Sequence, residues 1–253
     1  MANQPLNGRV ALITGGGGEI ATAIALRYAR EGARVAVCDL QGAKAEATAA
    51  LLRAEGFEAV GFACDVSVPE DAARAVAETV KTHGALHILV NVAAAATPDG
   101  TVETLTLDQW NRAMAVNLGG PFLMCKYAVP EIRRAGGGAI VNIASQLGHL
   151  GAPGRSPYCS SKAGLLRFTQ ILAMDHATDN IRVNGVAPAT VLTPSREILL
   201  SDPQRRQKML ERLPQKRFPT PEDIAGAVSY LANPETLAVT GHILPVDAGL
   251  LAV

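Results

Sequence analysis

Four consecutive glycines, Gly15 to Gly18, separate a short apolar run at 9–14 from a segment with helical spacing at 19–30. The run (RVALIT) has the length and composition of a buried strand, and Ile20, Ala23, Ile24, Leu26 and Tyr28 recur at helical spacing after it. A strand that breaks at glycines and resumes as a helix offers backbone N–H groups to a phosphate. Residues 34–38 (RVAVC) make a second apolar run, and Asp39 stands at its end, 24 residues after Gly15. An acidic residue roughly 20 positions beyond such a turn is placed to meet a ribose.

The same alternation continues to the end of the chain. Helical segments are expected at 43–54, 70–82, 106–134, 157–176 and 221–233. Strands are expected at 58–64, ending in Asp65, at 86–91, at 139–144, ending at Ser145, at 181–187 and at 242–246. Gly119, Gly120 and Pro121 should bend the long 106–134 helix. Strands alternating with helices imply a parallel sheet with helices on both faces. Right-handed crossovers favour a doubly wound order. The expectation is an α/β fold with a doubly wound parallel seven-stranded sheet. No repeat or low-complexity linker interrupts it, so residues 1–253 read as a single domain.

Composition narrows the function classes. With 23 basic and 23 acidic residues the formal net charge is zero, which argues against a nucleic-acid binder. Cys38, Cys64, Cys125 and Cys159 have no metal-type spacing and read as reduced thiols of a cytoplasmic protein; no metal is expected. Neither a signal-like N-terminus nor an apolar run of spanning length is present, so no membrane partner is expected.

The segment from Tyr158 to Lys162 (YCSSK) opens the 157–176 helix behind Pro157, which suits a first turn. Positions i and i+4 share a helix face, so the phenol and the ammonium lie together. A phenol titrates near 10 and is a poor base at neutral pH. A cation at ~4 Å and an effective dielectric of ~20 contributes ~4 kcal/mol, enough to bring that value near 7, where a general acid/base works best. Alone, the pair is equally compatible with a solvated helix face.

With the runs VNLGGPF, IVNIAS and YCSSKAG in this order, the chain resembles the short-chain dehydrogenase/reductase family over about 8–249. The resemblance implies a Rossmann sheet, a nicotinamide dinucleotide and an Asn–Ser–Tyr–Lys active site at Asn117, Ser145, Tyr158 and Lys162. Tyr158 would exchange a proton with an alcohol or ketone, and Ser145 would hydrogen-bond the substrate oxygen. Lys162 would lower the phenol's pKa and hold the nicotinamide ribose, and Asn117 would anchor a proton-relaying water. The implied cofactor contacts are Gly15, Gly17, Gly18, Glu19, Ile20, Asp39, Leu40, Asp65, Val66, Asn91, Ala93, Tyr158, Lys162, Pro188, Val191 and Thr193. The substrate would meet Ala94, Ser145, Gln146, His149, Tyr158 and Thr190. Asp39, followed by Leu40 rather than a base, favours NAD over NADP. Three motifs depart from the family pattern: in the glycine turn Glu19 and Ala21 replace two glycines, after the run at 86–91 Val92 replaces an asparagine, and Ala189 replaces a glycine. They bear on cofactor affinity more than on chemistry.

The expected activity is NAD-dependent interconversion of a secondary alcohol and its ketone. The alternatives are an NADPH-dependent ketone reductase resembling the oxoacyl-thioester reductases, and a dinucleotide-binding scaffold without turnover. Residues 193–217 lie beyond the sixth strand, at the sheet edge where ligands of such folds bind, and should form a lid. Between Arg196 and Arg217 seven bases (Arg196, Arg205, Arg206, Lys208, Arg212, Lys216 and Arg217) face three acids, so one or two of them are candidates to meet an anionic group on the substrate, with Arg205 and Arg206 the pair to replace as a test, against the blander reading of solvated charge. The lid's apolar positions, among them Ile198, Leu200, Met209, Leu210 and Leu213, would face the substrate. The apolar end Leu250, Leu251, Ala252 and Val253 would be left in water by a monomer, and with the family's habit this favours a homotetramer.

Overall fold

A computed structural model describes residues 4–252. Its strands are Val10–Thr14 (β1), Arg34–Asp39 (β2), Ala59–Ala63 (β3), Ile88–Asn91 (β4), Gly138–Ile143 (β5), Ile181–Pro188 (β6) and Ile243–Val246 (β7). They form one seven-stranded sheet in the order β3-β2-β1-β4-β5-β6-β7, with every pairing parallel. The doubly wound sheet expected from the alternation is therefore the fold. Its helices are Glu19–Arg30 (α1), Gly42–Ala54 (α2), Pro69–His83 (α3), Leu107–Met114 (α4), Gly120–Arg134 (α5), Ser156–Asp175 (α6), Pro194–Leu199 (α7), Pro203–Glu211 (α8) and Pro221–Ala232 (α9).

Side chains alternate across a strand, so each central strand feeds two cores. Ala11, Ile13, Val35, Val37 and Val141 pack under α1, α2 and α9. Leu12, Ala36, Leu89 and Ile140 pack under α3, α5 and α6. Leu12, Ile13, Leu89 and Ile140 are fully buried, each contributing roughly 2 kcal/mol by leaving water. This double burial holds the strand ends, and the loops that follow them, in register.

Three expectations need correction. The 106–134 segment is helical from Leu107 to Arg134 without a break, but its irregularity is a π turn that includes Gly119 and precedes Gly120 and Pro121. α4 ends at Met114, a π-helical turn covers Ala115–Gly119, and α5 begins at Gly120. Such wide turns are a recognised cause of helix bending. Gly120 serves close packing instead: a Cβ there would lie 2.7 Å from Val66 Cγ2.

The apolar positions of the 193–217 segment do not face a substrate as a group. Leu200 and Leu213 are buried with Ala189, Phe218, Ala248 and Leu250, and Met209 and Leu210 pack against that cluster. Ile198 is 75% exposed. The C-terminal tail shares the same small core, because Leu250 is buried there at the head of a 3-10 turn. A single chain therefore covers Leu250, leaving Leu251 half-buried and Ala252 exposed; Val253 lies outside the described residues.

Candidate active site

β1 and β4 are the strands at which the winding reverses, and their carboxyl ends are tied together by one hydroxyl. Thr14 Oγ1 accepts from the N–H groups of Val92 (3.0 Å) and Ala93 (3.1 Å). Directly after it, Gly15 has φ +67°, and a Cβ there would lie 2.9 Å from Ala93 Cα. Backbone conformation and close approach both require glycine at this point. Gly16 N donates to Cys38 O at 2.9 Å, and Gly18 N donates to Gly15 O at 3.0 Å. Gly17 N donates to Asp39 Oδ2 at 3.1 Å, and a Cβ on Gly17 would meet Lys44 Cβ at 2.4 Å.

The turn delivers the N-terminus of α1, which no side chain caps. The first N–H groups of a helix have no partner inside it, so Glu19 and Ile20 offer donors at the positive end of the helix dipole. Glu19 itself is exposed. Asp39 stands beside them, its Oδ1 accepting from Gln41 N at 2.9 Å, with Leu40 57% exposed next to it. Uncapped N–H groups, a glycine turn without side chains and an adjacent carboxylate fit the phosphates and ribose of a dinucleotide.

Other expected cofactor residues have structural work of their own. Asp65 Oδ1 accepts from Ser67 N (2.9 Å) and Ser67 Oγ (2.6 Å), closing its own turn, and Val66 is buried against Gly120. Asn91 turns its side chain into the sheet and does not project it beyond the strand end. Its Nδ2 donates to Asn142 Oδ1 at 2.8 Å, Asn142 Nδ2 donates to Thr169 Oγ1 at 2.9 Å, and Thr169 donates to Leu165 O at 2.7 Å. Pro188 ends β6, Val191 is buried in the core under α9, and Thr193 caps α7 by accepting from Arg196 N at 3.3 Å. Thr190, half-buried, lies between them.

The second group of residues gathers where β5 ends. Ser145 is buried, and its Oγ accepts from Leu147 N at 3.1 Å, capping the 3-10 turn Gln146–Gly148. α6 starts at Ser156 with Pro157 in its first turn, which brings Tyr158 and Lys162 into the same neighbourhood. Lys162 is 2% exposed; its Nζ lies 5.8 Å from the Tyr158 ring centroid and donates to Ile143 O at 2.7 Å. Asn117 sits in the π turn, fully buried. Its Oδ1 accepts from Ala95 N at 2.8 Å and its Nδ2 donates to Ser161 Oγ at 3.2 Å. Ser161 Oγ in turn donates to Tyr158 O at 2.9 Å. Ala94 and His149 are exposed on the flanking loops, and Gln146 is half-buried with Oε1 unpartnered.

The electrostatics differ from the expectation for the pair. Burial pushes the Tyr158 phenol above its ordinary value, while the Ser145 hydroxyl and then the charges of Arg155 and Arg196 draw it down. Burial lowers Lys162 to about 8. Helical spacing puts the two side chains on one face, but the ammonium is turned toward the Ile143 carbonyl, and the phenol is not brought to neutrality by it. Ser161 and Arg155 are the contributors the sequence reading missed; Thr14 entered it only as the residue that opens the glycine motif, and Arg196 only as one of the lid's seven bases.

Among the described residues no group of three or more His, Cys, Asp or Glu could hold a metal ion, and no helix is long and apolar enough to cross a membrane. All four cysteines are free thiols.

A glycine turn and carboxylate suited to a dinucleotide, beside a Ser–Tyr–Lys cluster on the same edge of a doubly wound sheet, define a Rossmann-type oxidoreductase. The chain belongs to the short-chain dehydrogenase/reductase family, whose members use nicotinamide dinucleotides. The family profile that matches, over residues 17–251, is described as Enoyl-(Acyl carrier protein) reductase. The 2-(S)-hydroxypropyl-CoM dehydrogenase 3 of Xanthobacter autotrophicus is 39% identical over 257 residues, covering 100% of both chains. Dehydrogenase/reductase SDR family member 4 of Homo sapiens is 38% identical over 246 residues, 97% of this chain and 88% of that one. A solved structure, provisionally named a short-chain alcohol dehydrogenase of Sinorhizobium meliloti, superposes with a TM-score of 0.92 at 36% identity, covering 98% of each chain.

Proposed function

We propose that the protein interconverts a secondary alcohol and its ketone with NAD(H), using Tyr158 as the general acid/base. The observation that carries this reading is the gathering of Ser145, Tyr158 and Lys162 at the end of β5, with Lys162 Nζ 5.8 Å from the Tyr158 ring centroid and bonded to the Ile143 carbonyl two residues before Ser145. The nicotinamide, when bound, supplies or accepts the hydride. The remaining chemistry is a proton transfer that this chain's own groups perform. Ser145 Oγ holds the substrate oxygen, and the Tyr158 Oη gives that oxygen its proton in reduction or takes it in oxidation. The Lys162 ammonium favours the phenolate once Tyr158 has given up its proton, and relays a proton toward the Asn117 turn. A phenol kept above its ordinary value by burial is a stronger reason for these helpers, since a base works best near the operating pH.

Asp39 carries the coenzyme choice. A carboxylate accepts from ribose hydroxyls and repels a 2′-phosphate, so NAD is the expected partner over NADP. Glu19 and Ile20, with the glycine turn, would take the pyrophosphate, and Pro188, Val191 and Thr193 the nicotinamide side. The 193–217 segment, as α7 and α8, is proposed to cap the substrate. A cytoplasmic homotetramer remains the proposed state; the exposed apolar residues Leu107, Trp110, Phe122 and Ile171 on α4, α5 and α6 support self-association better than the tail does.

The test follows NADH absorbance with a panel of secondary alcohols, and its loss with ketones, in parallel with NADP(H). Turnover with NAD(H) at more than ten times the kcat/KM of NADP(H) is expected. Comparable efficiency with both removes the Asp39 argument. Tight dinucleotide binding with no turnover across the panel would favour the scaffold reading.

A further inference from the structure

We propose that the substrate carries an anionic group a few bonds from its carbinol or carbonyl carbon, held by Arg155 and Arg196. The inference rests on the reading of Tyr158 as the acid/base, because it places the anion relative to that phenol. The Arg155 guanidinium carbon lies 5.4 Å from the Tyr158 ring centroid. Residue 155 is held there by backbone: it bridges Gly100, and Gly100 N donates to Gly154 O at 2.9 Å. One nitrogen, Nη1, contacts Asp99 at 2.6 Å, but the Asp99 side chain is 75% exposed, so that pairing is weak and solvent-screened. The opposite edge of the fork is uncommitted. Nε is buried without a partner, and Nη2 has none among the described residues. A guanidinium edge of this kind matches the two oxygens of a carboxylate, sulfonate or phosphate.

Arg196 lies on the short helix α7. Its side chain makes no ion pair among the described residues, yet its charge reaches the Tyr158 phenol. Arg155 is therefore the cation stacked on the phenol ring, Arg196 adds a second charge that bears on it, and neither is paired with a buried acid among the described residues. Buried polar groups nearly always find partners, so orphaned ones mark a missing ligand or water. Besides Arg155 Nε, Thr97 Oγ1 is also unpartnered, on the loop that runs into the Gly100–Arg155 bridge, whereas the orphan Gln146 Oε1 is an acceptor and would not meet an anion. Thr97 and Arg155 are donors, as an anion demands. The bases on α8 are less suited. Arg206 is stacked over Phe218 much as Arg155 is over Tyr158, its guanidinium carbon 5.6 Å from the ring centroid, but that ring belongs to the small core of the lid and not to the candidate active site. Of the bases between 196 and 217, Arg196 is the one whose charge bears on the phenol, joined by Arg155 from outside the lid.

The experiment compares a matched series of secondary alcohols ending in a neutral group, a carboxylate, a sulfonate or a phosphate, with wild type, Arg155→Gln, Arg155→Lys and Arg196→Gln. Wild type is expected to favour at least one anionic member over the neutral one in kcat/KM by about tenfold or more, as charge-assisted hydrogen bonds allow. Each Gln variant should cut that ratio about tenfold, chiefly through KM, and Arg155→Lys should restore part of it. Which terminus wins identifies the anion. A wild type that favours the neutral alcohol, or Gln variants with an unchanged ratio, would overturn the proposal. If no member turns over, the acid–base reading fails separately. Calorimetric binding of the same anions to the enzyme with NADH then decides: weaker binding in both Gln variants supports the two arginines, and equal or absent binding removes them.

Discussion

The side-chain amide of Asn117 donates to the Ser161 hydroxyl at 3.2 Å, and that hydroxyl passes its own proton to the Tyr158 carbonyl at 2.9 Å. The other end of the same amide accepts from Ala95 N at 2.8 Å. One buried side chain in a π turn thereby clamps the loop after β4 to the first turns of α6, where Tyr158 is presented. Asn117→Leu keeps the volume and removes both bonds. Leaving buried polar groups unpaired costs about 1–3 kcal/mol each, so for these two a melting point lower by roughly 4–20 °C is expected, with turnover reduced about a hundredfold. Calorimetry and initial rates check it. Wild-type activity in a destabilised variant would leave Asn117 with a purely structural role.

Tyr158→Phe removes the proton and keeps the ring. Dinucleotide binding should persist while turnover falls by about 10²–10⁴, the usual contribution of a general acid/base. A variant with more than a tenth of the wild-type rate would take Tyr158 out of the mechanism. Ser145→Ala bears on the same phenol through charge. The hydroxyl draws the Tyr158 value down, so its loss should move the rising limb of the alcohol-oxidation pH profile to higher pH.

Lys162 predicts how stability depends on pH. Its folded value, lowered by burial to about 8, lies below the ordinary 10.5. Between those two pH values the unfolded chain holds more protons, so stability rises with pH there. Below pH 8 the penalty is fully present, at most about 3 kcal/mol. Lys162→Met cannot ionise. It should gain most in melting temperature, relative to wild type, near pH 7, and that advantage should shrink steadily toward pH 10. A difference that stays constant over this range would mean the ammonium is not destabilised by its surroundings.

Asp39 accepts from Gly17 N and Gln41 N with separate oxygens. Asn at this position can accept with only one oxygen and carries no charge to repel a phosphate. Asp39→Asn is expected to lower kcat/KM for NAD about tenfold and to raise it for NADP until the two are comparable. An undiminished preference for NAD in this variant would locate the discrimination elsewhere.

Glu19 lies at the mouth of the glycine turn with its side chain in solvent. Glu19→Gly removes a carboxylate that competes with the pyrophosphate for the helix end, while giving up about 1 kcal/mol of helix propensity. NAD binding measured by calorimetry should tighten by a few-fold and the melting point fall slightly. Weaker binding would show a useful contact made by the carboxylate.

What the sequence determined by itself is what depends on neighbours along the chain. Apolar runs of period two or none, helical spacing between them, and glycines where a turn needs φ above zero are local properties. They were enough for the strands, the doubly wound order, the turn at Gly15 and the shared face of Tyr158 and Lys162. The tertiary structure decided everything that depends on groups distant in sequence. Ala95, Asn117 and Ser161 meet only because β4, the π turn and α6 are packed together, and no spacing rule links them. Lys162 Nζ is turned by Ile143, a residue of the neighbouring strand, rather than by its partner one helical turn away. Asn91 could not be known to face Asn142 until β4 and β5 were paired. The charge around the phenol is set in the same way: Arg155 is held by a bridge to Gly100, Arg196 arrives on α7, and burial outweighs both because desolvation is a property of the assembled fold.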